Sequence, residues 1–89
     1  MTRIDSWPVD ISLDEEDRET RAEARLSKDG GGGIVGHGLA RRNPADPEVT
    51  QIGEEIAAAR ALSDLAHQLL SEAAGQIENI THHRAHLTL

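Results

Sequence analysis

The chain has 89 residues and a formal charge of −7 at pH 7, from 16 acidic and 9 basic side chains. It contains no cysteine, phenylalanine or tyrosine and a single tryptophan, so a disulfide scaffold is excluded and the core must be aliphatic. The length allows one small domain and excludes a large enzyme. The acidic balance also argues against a nucleic-acid-binding protein that depends on phosphate contacts.

Hydropathy argues against export and against membrane insertion. Uninterrupted apolar runs are only a few residues long, far short of the roughly 20 residues of a membrane-spanning helix. The first residues lack the apolar segment of a secretion signal. We therefore expect a single cytoplasmic domain over residues 1–89, without a membrane segment.

The first predicted element is a strand over about residues 5–13, where apolar and polar residues alternate. Four apolar residues share one side of this pattern: Trp7, Val9, Ile11 and Leu13. A period of two predicts a strand with these side chains on one buried face. Pro8 cannot donate a ladder hydrogen bond, which favours a position at the edge of the sheet.

Residues 19–28 are open to two interpretations. Their arginine, alanine and glutamate residues are good helix formers, but Ala22, Ala24 and Leu26 alternate with charged residues. A helix would scatter these three apolar side chains around its circumference, whereas a strand places them on one face. The pattern therefore favours a second strand over this segment.

A glycine-rich turn separates this segment from a third predicted strand. The four glycines at 30–33 favour a hairpin turn because glycine accepts a positive φ, and the lysine and hydroxyl residue of a phosphate-binding loop are missing. The third strand covers about residues 33–42. Gly36, Gly38 and Ala40 form one of its faces, which would let another backbone approach closely.

A long amphipathic helix follows the Asn-Pro-Ala-Asp-Pro segment. Its apolar positions recur every three or four residues: Ile52, Ile56, Ala59, Leu62, Ala66, Leu69, Ala73 and Ile77, widened by Leu65 and Leu70. This period predicts a helix over about 48–74. Asp46 and Thr50 are alternative starts, and Gly75 is a natural end. A short terminal helix is expected over about 76–82.

The predicted helix is longer than the predicted sheet. A helix from residue 50 to 74 spans about 37 Å, whereas strands of seven residues span about 23 Å. The apolar stripe continues through the excess of about 14 Å, so we expect a second copy of the chain to cover it. The candidate interface consists of Leu65, Leu69, Leu70 and Ala73.

The sequence offers few candidates for chemistry. His82 and His86 are spaced for one helix face, but zinc usually needs a third protein ligand, so we predict no metal site. Arg41 and Arg42 form the only doubled basic position and are a candidate polar contact. No nucleophile elbow, phosphate loop, zinc-protease helix or dinucleotide fingerprint occurs. We therefore expect no catalytic residue, no cofactor and no enzymatic activity.

Five segments together are typical of one family: Trp7-Pro8-Val9-Asp10-Ile11, Arg21-Ala22-Glu23-Ala24-Arg25-Leu26, Val35-Gly36-His37-Gly38-Leu39-Ala40-Arg41, Asn43-Pro44-Ala45-Asp46 and Ala59-Arg60-Ala61-Leu62-Ser63-Asp64-Leu65. They resemble an actinobacterial family of small proteins of unknown function that includes a hypoxia- and dormancy-induced mycobacterial protein. The resemblance covers residues 7–82. It departs at the glycines 30–33 and at the histidine-rich tail.

The resemblance implies a fold like that of the double-stranded-RNA-binding domain. This α+β fold has a three-stranded antiparallel sheet packed by one long helix and a short terminal helix, in the order β-β-β-α-α. The resemblance also implies a homodimer whose shape is similar to that of ribosome hibernation-promoting factors. The function it implies is that of a non-enzymatic stress or dormancy protein acting at the ribosome or on a ribosomal protein. The acidic charge argues against direct nucleic-acid binding, and the alternative is a protein–protein interaction module without ribosome contact.

Overall fold

The chain folds as a three-stranded antiparallel sheet followed by one long helix. The computed structural model describes residues 4–45 and 49–88. Strands β1 (Val9–Glu16), β2 (Glu19–Ser27) and β3 (Gly33–Arg41) form the sheet in the order β1-β2-β3. Helix α1 (Thr50–Thr81) packs on one face of it. The predicted α+β architecture is confirmed.

The segment that is open to two interpretations in the sequence forms the central strand, β2. Ala22, Ala24 and Leu26 are 3%, 0% and 4% exposed and form the sheet side of the core. Because β2 is paired with a strand on each side, its backbone groups are satisfied in the extended form. Burial and pairing thus outweigh the helix propensity of its residues.

Two tight turns connect the strands. Glu16 and Glu19 are paired across a two-residue turn, in which Asp17 adopts a φ of 56°, a conformation that a short polar side chain tolerates. β1 therefore ends three residues later than predicted, and it begins at Val9 instead of at about residue 5. Glycines 30–32 adopt φ values of 83°, 89° and 80° and complete the predicted hairpin turn between β2 and β3.

The glycine face of β3 brings the helix backbone directly onto the sheet. A Cβ atom added to Gly36 would lie 2.6 Å from the backbone nitrogen of Leu65, and one added to Gly38 would lie 3.0 Å from the carbonyl carbon of Arg60. No side chain fits into such a gap. The predicted close approach of another backbone to this face is confirmed, and that backbone belongs to α1.

This close approach also decides which residues of α1 are buried. Ala57, Ala61 and Leu65 are the buried residues of the helix. Four larger residues of the predicted apolar stripe are 41% to 55% exposed: Ile52, Ile56, Leu62 and Ile77. The predicted apolar stripe is therefore only partly buried, because mainly small side chains fit between a helix and a sheet whose backbones nearly touch.

The helix is continuous, and the separate terminal helix predicted over residues 76–82 is wrong. α1 has 32 residues, or about 48 Å at 1.5 Å per residue. Gly75 lies within it without a positive φ, since the cost of about 1 kcal/mol for one interior glycine does not break a helix with hydrogen-bonded turns on both sides. α1 begins at Thr50, two residues later than predicted. Asp46, the alternative start, lies outside the described residues.

The helix extends past the sheet, as the comparison of lengths predicts. Lys28, just after β2, forms an ion pair of 3.2 Å with Glu72, so residues 73–81 lie beyond the sheet over about 14 Å. Ile77 and Ile80 in this part are 41% and 80% exposed. The overhang therefore presents isolated apolar side chains on a mostly polar surface.

Candidate interaction surface

Strand β1 carries a row of apolar side chains on the helix side of the sheet. Val9, Ile11 and Leu13 are paired directly across from the three buried apolar residues of β2, and directly paired residues share one face. They nevertheless remain 40%, 40% and 43% exposed, and Trp7 is 49% exposed. We call these four residues the β1 row. The predicted buried face of this strand is therefore not buried in the single chain.

The β1 row is uncovered because one helix cannot cover three strands. A helix is about 10 Å wide with its side chains, whereas strands lie about 4.8 Å apart, so the helix covers two of them. The glycines of β3 hold α1 over β3 and β2, and the helix scarcely contacts β1. Strand β1 therefore projects beyond the part of the sheet that the helix covers.

One flank of the helix borders the β1 row. Arg60 and Leu62 lie on opposite sides of the buried Ala61, because successive helix residues are 100° apart. The Arg60 side chain reaches the outer edge of β3, where it donates a hydrogen bond to the carbonyl oxygen of Leu39. Leu62 therefore lies on the side of β1, and it is 42% exposed. The β1 row and Leu62 thus both present exposed apolar side chains on the helix side of the sheet.

The backbone of β1 is also open along its outer edge. The Ser27 N–H donates to the Pro8 carbonyl oxygen, so residue 8 points its polar groups toward β2. Because direction alternates along a strand, Val9, Ile11 and Leu13 point their N–H and carbonyl groups away from the sheet. In the described chain, β1 pairs with β2 alone, and the missing N–H of Pro8 does not interrupt this outer edge.

The opposite edge of the sheet is closed by the helix. Three α1 side chains, four residues apart, bond to outward-facing backbone groups of β3: Arg60 donates to the Leu39 carbonyl, Asp64 accepts from the His37 N–H, and Gln68 donates to the Val35 carbonyl, at 2.6, 2.8 and 2.7 Å. These bonds occupy the groups that would otherwise pair with another strand. Among residues 4–45 and 49–88, the sheet edge left open therefore belongs to β1.

The outer face of the sheet, away from the helix, is mostly polar, and three of its arginines are paired with glutamates of the same face. Arg21 and Arg41 both form ion pairs with Glu19, at 3.1 and 3.2 Å, and Arg25 pairs with Glu23 at 2.6 Å. The Arg42 N–H donates to the carbonyl oxygen of Arg18. Arg41 is therefore paired within the chain while its side chain stays 72% exposed, and a polar contact of Arg41 and Arg42 with a partner stays a prediction.

A cavity of about 290 Å³ lies between the β1–β2 turn and the start of α1. Ala40, Ile52 and Ile56 contribute apolar lining, and Arg18 and the buried Thr20 contribute polar lining. The described lining contains no histidine or cysteine, the residues that most often act as base and nucleophile. Glu15 and Asp17 also line the cavity, so its polar lining combines acidic and basic side chains.

The predicted interface residues are less accessible than the β1 row. Leu65 is 4% exposed and Leu69 packs against the core, so both serve the packing of α1 on the sheet. Leu70 and Ala73 are half-buried. The structure therefore places the larger uncovered apolar surface on β1, away from these four residues.

The C-terminal histidines are not arranged as the sequence suggested. α1 ends at Thr81, and His82 is the residue after it, with a φ of 61°. His82 and His86 therefore do not share a helix face. Among residues 4–45 and 49–88, no group of three histidine, cysteine, aspartate or glutamate side chains could hold a metal ion.

Comparison with known proteins identifies the family. A model of the Rv2632c-like family matches residues 5–86. This chain belongs to the Rv2632c-like family. Rv2632c of Mycobacterium tuberculosis, an uncharacterized protein, is 54% identical over 74 residues, covering 83% of this chain and 78% of that protein. The uncharacterized protein Mb1767 of Mycobacterium bovis is 48% identical over 87 residues, covering 94% and 88%.

The fold is shared with a solved member of the Rv2632c-like family. The crystal structure of Rv2632c matches this chain with a TM-score of 0.83 at 49% identity, covering 92% of this chain and 96% of that one. The resemblance seen in the sequence is thus confirmed at the level of a family of small mycobacterial proteins of unknown function. Within the described residues, no helix is long and apolar enough to cross a membrane.

The open face of β1 was missed at the level of sequence, although a signal for it was present. The alternation in β1 predicts one buried face but does not indicate what covers it. A single helix following three strands, with the glycines on β3, indicates that the helix lies toward β3 and leaves β1 uncovered.

Proposed function

We propose that this protein is a non-enzymatic interaction module that forms a homodimer through β1. The observation that carries this proposal is the asymmetry of the two sheet edges. Helix side chains close the β3 edge with three hydrogen bonds, whereas β1 has an open backbone edge beside an apolar row. Exposed edges of this kind pair with another chain unless they are protected.

The size of the exposed surface supports a specific contact. The β1 row exposes on the order of 300 Å² of apolar side chain, the scale of patches that are often functional. A stable interface buries about 800 Å² on each partner, so Leu62 and the backbone edge of β1 must contribute as well. A second copy supplies a matching apolar row and a matching open edge, which a globular partner without a free strand cannot offer.

A stress or dormancy role at the ribosome, within the cytoplasm, is the second candidate function. It is favoured by the family resemblance and by Arg21 and Arg25, whose side chains are 65% and 63% exposed on the outer face of the sheet. Both guanidinium groups are paired with carboxylates, and the chain carries a charge of −7, so we propose that the contact is made to a ribosomal protein and not to RNA.

The dimer is tested by light scattering on the unsubstituted protein and on two arginine variants of β1. Ile11→Arg places a charge in the β1 row and is expected to give a monomer with an unchanged circular dichroism spectrum. Ser12→Arg is the matched control, because Ser12 is the next residue and points to the outer face, and it is expected to remain a dimer. A monomeric unsubstituted protein at every soluble concentration would overturn the proposal.

The ribosomal role is tested separately by sedimentation of ribosomes from starved cells that express the protein. We expect the protein in the ribosomal fraction, and we expect that removing ribosomal proteins from the particles, but not trimming exposed RNA, releases it. Its absence from that fraction would exclude the ribosomal role and leave the interaction module with another protein partner.

A further inference from the structure

We infer that the second copy pairs with β1 in one antiparallel register, with Ile11 on the two-fold axis. This inference rests on the proposed function, in which β1 forms the dimer contact, and it specifies that contact residue by residue. Ile11 lies opposite Ile11 of the second copy, and Val9 lies opposite Leu13 of the second copy. The result is a continuous six-stranded sheet with both helices on the same face.

The direction of the backbone groups restricts the possible registers. Val9, Ile11 and Leu13 point their N–H and carbonyl groups outward, as the Ser27–Pro8 hydrogen bond establishes. A ladder forms only where an outward-pointing residue faces another outward-pointing residue. The two-fold axis must therefore pass through a residue position, and the neighbouring choices are Asp10, Ile11 and Ser12.

The acidic residues on the outer face of β1 separate these choices. With the axis at Ile11, Asp10 faces Ser12 of the second copy, and Asp14 faces Pro8. With the axis at Asp10, the two copies of Asp10 face each other. With the axis at Ser12, Asp10 faces Asp14 twice. Like charges placed directly opposite destabilise strand pairing, so among these three registers the Ile11 register is the one without a directly opposed acidic pair.

The apolar side of the strand also favours the Ile11 register over the Ser12 register. With the axis at Ile11, each helix-side position from Val9 to Leu13 faces an apolar residue. With the axis at Ser12, Val9 faces Glu15 of the second copy. Because the axis is perpendicular to the sheet, the two β1 rows lie side by side between the helices and form one apolar strip. The acidic residues of the outer face thus select the register in which the apolar residues of the two copies face each other.

Disulfide cross-linking of single-cysteine variants tests the register, since the natural chain contains no cysteine. Directly opposed residues in a hydrogen-bonded antiparallel pair lie about 5.5 Å apart at Cα, which suits a disulfide. Under mild oxidation, Ile11→Cys is expected to form a covalent dimer. Ser12→Cys is expected to do so roughly tenfold less, the ratio produced by two repulsive pairs.

Three further variants, used in two experiments, complete the test. Adding Asp14→Asn to Ser12→Cys removes the repulsion of the Ser12 register, so cross-linking at Ser12 should rise severalfold. Val9→Cys and Leu13→Cys proteins should cross-link when mixed and scarcely when separate, which reports the Ile11 register without changing Ile11. This pair keeps the test valid if Ile11→Cys weakens the association.

The outcomes distinguish the register from the dimer itself. A dimer by mass that cross-links better through Ser12→Cys than through Ile11→Cys overturns the register and leaves the proposed function intact. A dimer that cross-links through none of these positions overturns β1 pairing as the contact. Failure of Asp14→Asn to raise cross-linking at Ser12 overturns the selection of the register by the acidic residues, and a monomeric unsubstituted protein overturns the proposed function.

Discussion

Replacing Gly36 by alanine should force the helix away from the sheet. The added Cβ atom would lie 2.6 Å from the backbone nitrogen of Leu65, 2.9 Å from the Leu65 Cβ atom, and closer still to the carbonyl oxygen of Ala61. Ordinary van der Waals contacts of a Cβ atom begin at 3.4 Å. Since these atoms belong to backbone or stand next to it, the helix must move by about 1 Å.

The expected loss of stability follows from two contributions. Overpacking of a well-packed contact costs about 1–3 kcal/mol. The same displacement stretches the two hydrogen bonds that join Asp64 and Gln68 to the edge of β3. Each such bond contributes a net stabilisation of about 1 kcal/mol. We therefore expect the free energy of unfolding to fall by about 3 kcal/mol. For a chain of this length the total is on the order of 4–13 kcal/mol, so much of the stability is lost.

Urea unfolding, followed by circular dichroism at a fixed protein concentration, measures this change. Gly75→Ala is the matched control, because nothing lies within 4 Å of its added Cβ atom, and alanine in the helix interior should stabilise the protein by about 1 kcal/mol. Neither glycine has a positive φ, so the two variants differ mainly in available space. Equal stability of Gly36→Ala and the natural chain would refute the steric reasoning.

Three further predictions concern single positions. Asp64→Ala removes the acceptor of the His37 N–H and should cost about 1–3 kcal/mol, with faster hydrogen exchange at that amide; unchanged exchange would show that the edge of β3 is held by other groups. Gly31→Ala places a side chain at a φ of 89° and should cost about 1–2 kcal/mol in thermal unfolding, although nothing lies within 4 Å; no loss would indicate that the turn rearranges. His82→Gly relieves the left-handed conformation after the helix and should stabilise by about 0.5–1 kcal/mol, and a loss in the same assay would show that the histidine ring contributes to the terminus.

The strands could be predicted from the sequence because apolar and polar residues alternate in them, even where the residues themselves favour a helix. In β2 the alternation of Ala22, Ala24 and Leu26 with charged residues decided against the helix. The end of the helix could not be predicted in this way. Gly75 is a typical terminating residue, yet α1 continues for six residues beyond it, because the cost of an interior glycine is small compared with the turns that flank it.

The candidate surface, too, could be predicted only in part from the sequence. The amphipathic character of β1 is visible in the sequence, but its exposure is not, since Val9, Ile11 and Leu13 have the pattern of a buried face. Whether a helix covers that face depends on where the helix sits. The three side chains that close β3, including Asp64 and Gln68, are likewise separated from their partners by 21 to 33 residues.

The sequence by itself determined the order of three strands and a helix, the turns between the strands, and the small-residue face of β3, because each depends on local periodicity or on glycine. Only the tertiary structure decided which helix residues are buried and which sheet edge stays open. The reason is steric: the glycines of β3 allow α1 to pack so closely there that alanines face the sheet, and a helix held in that place cannot reach β1.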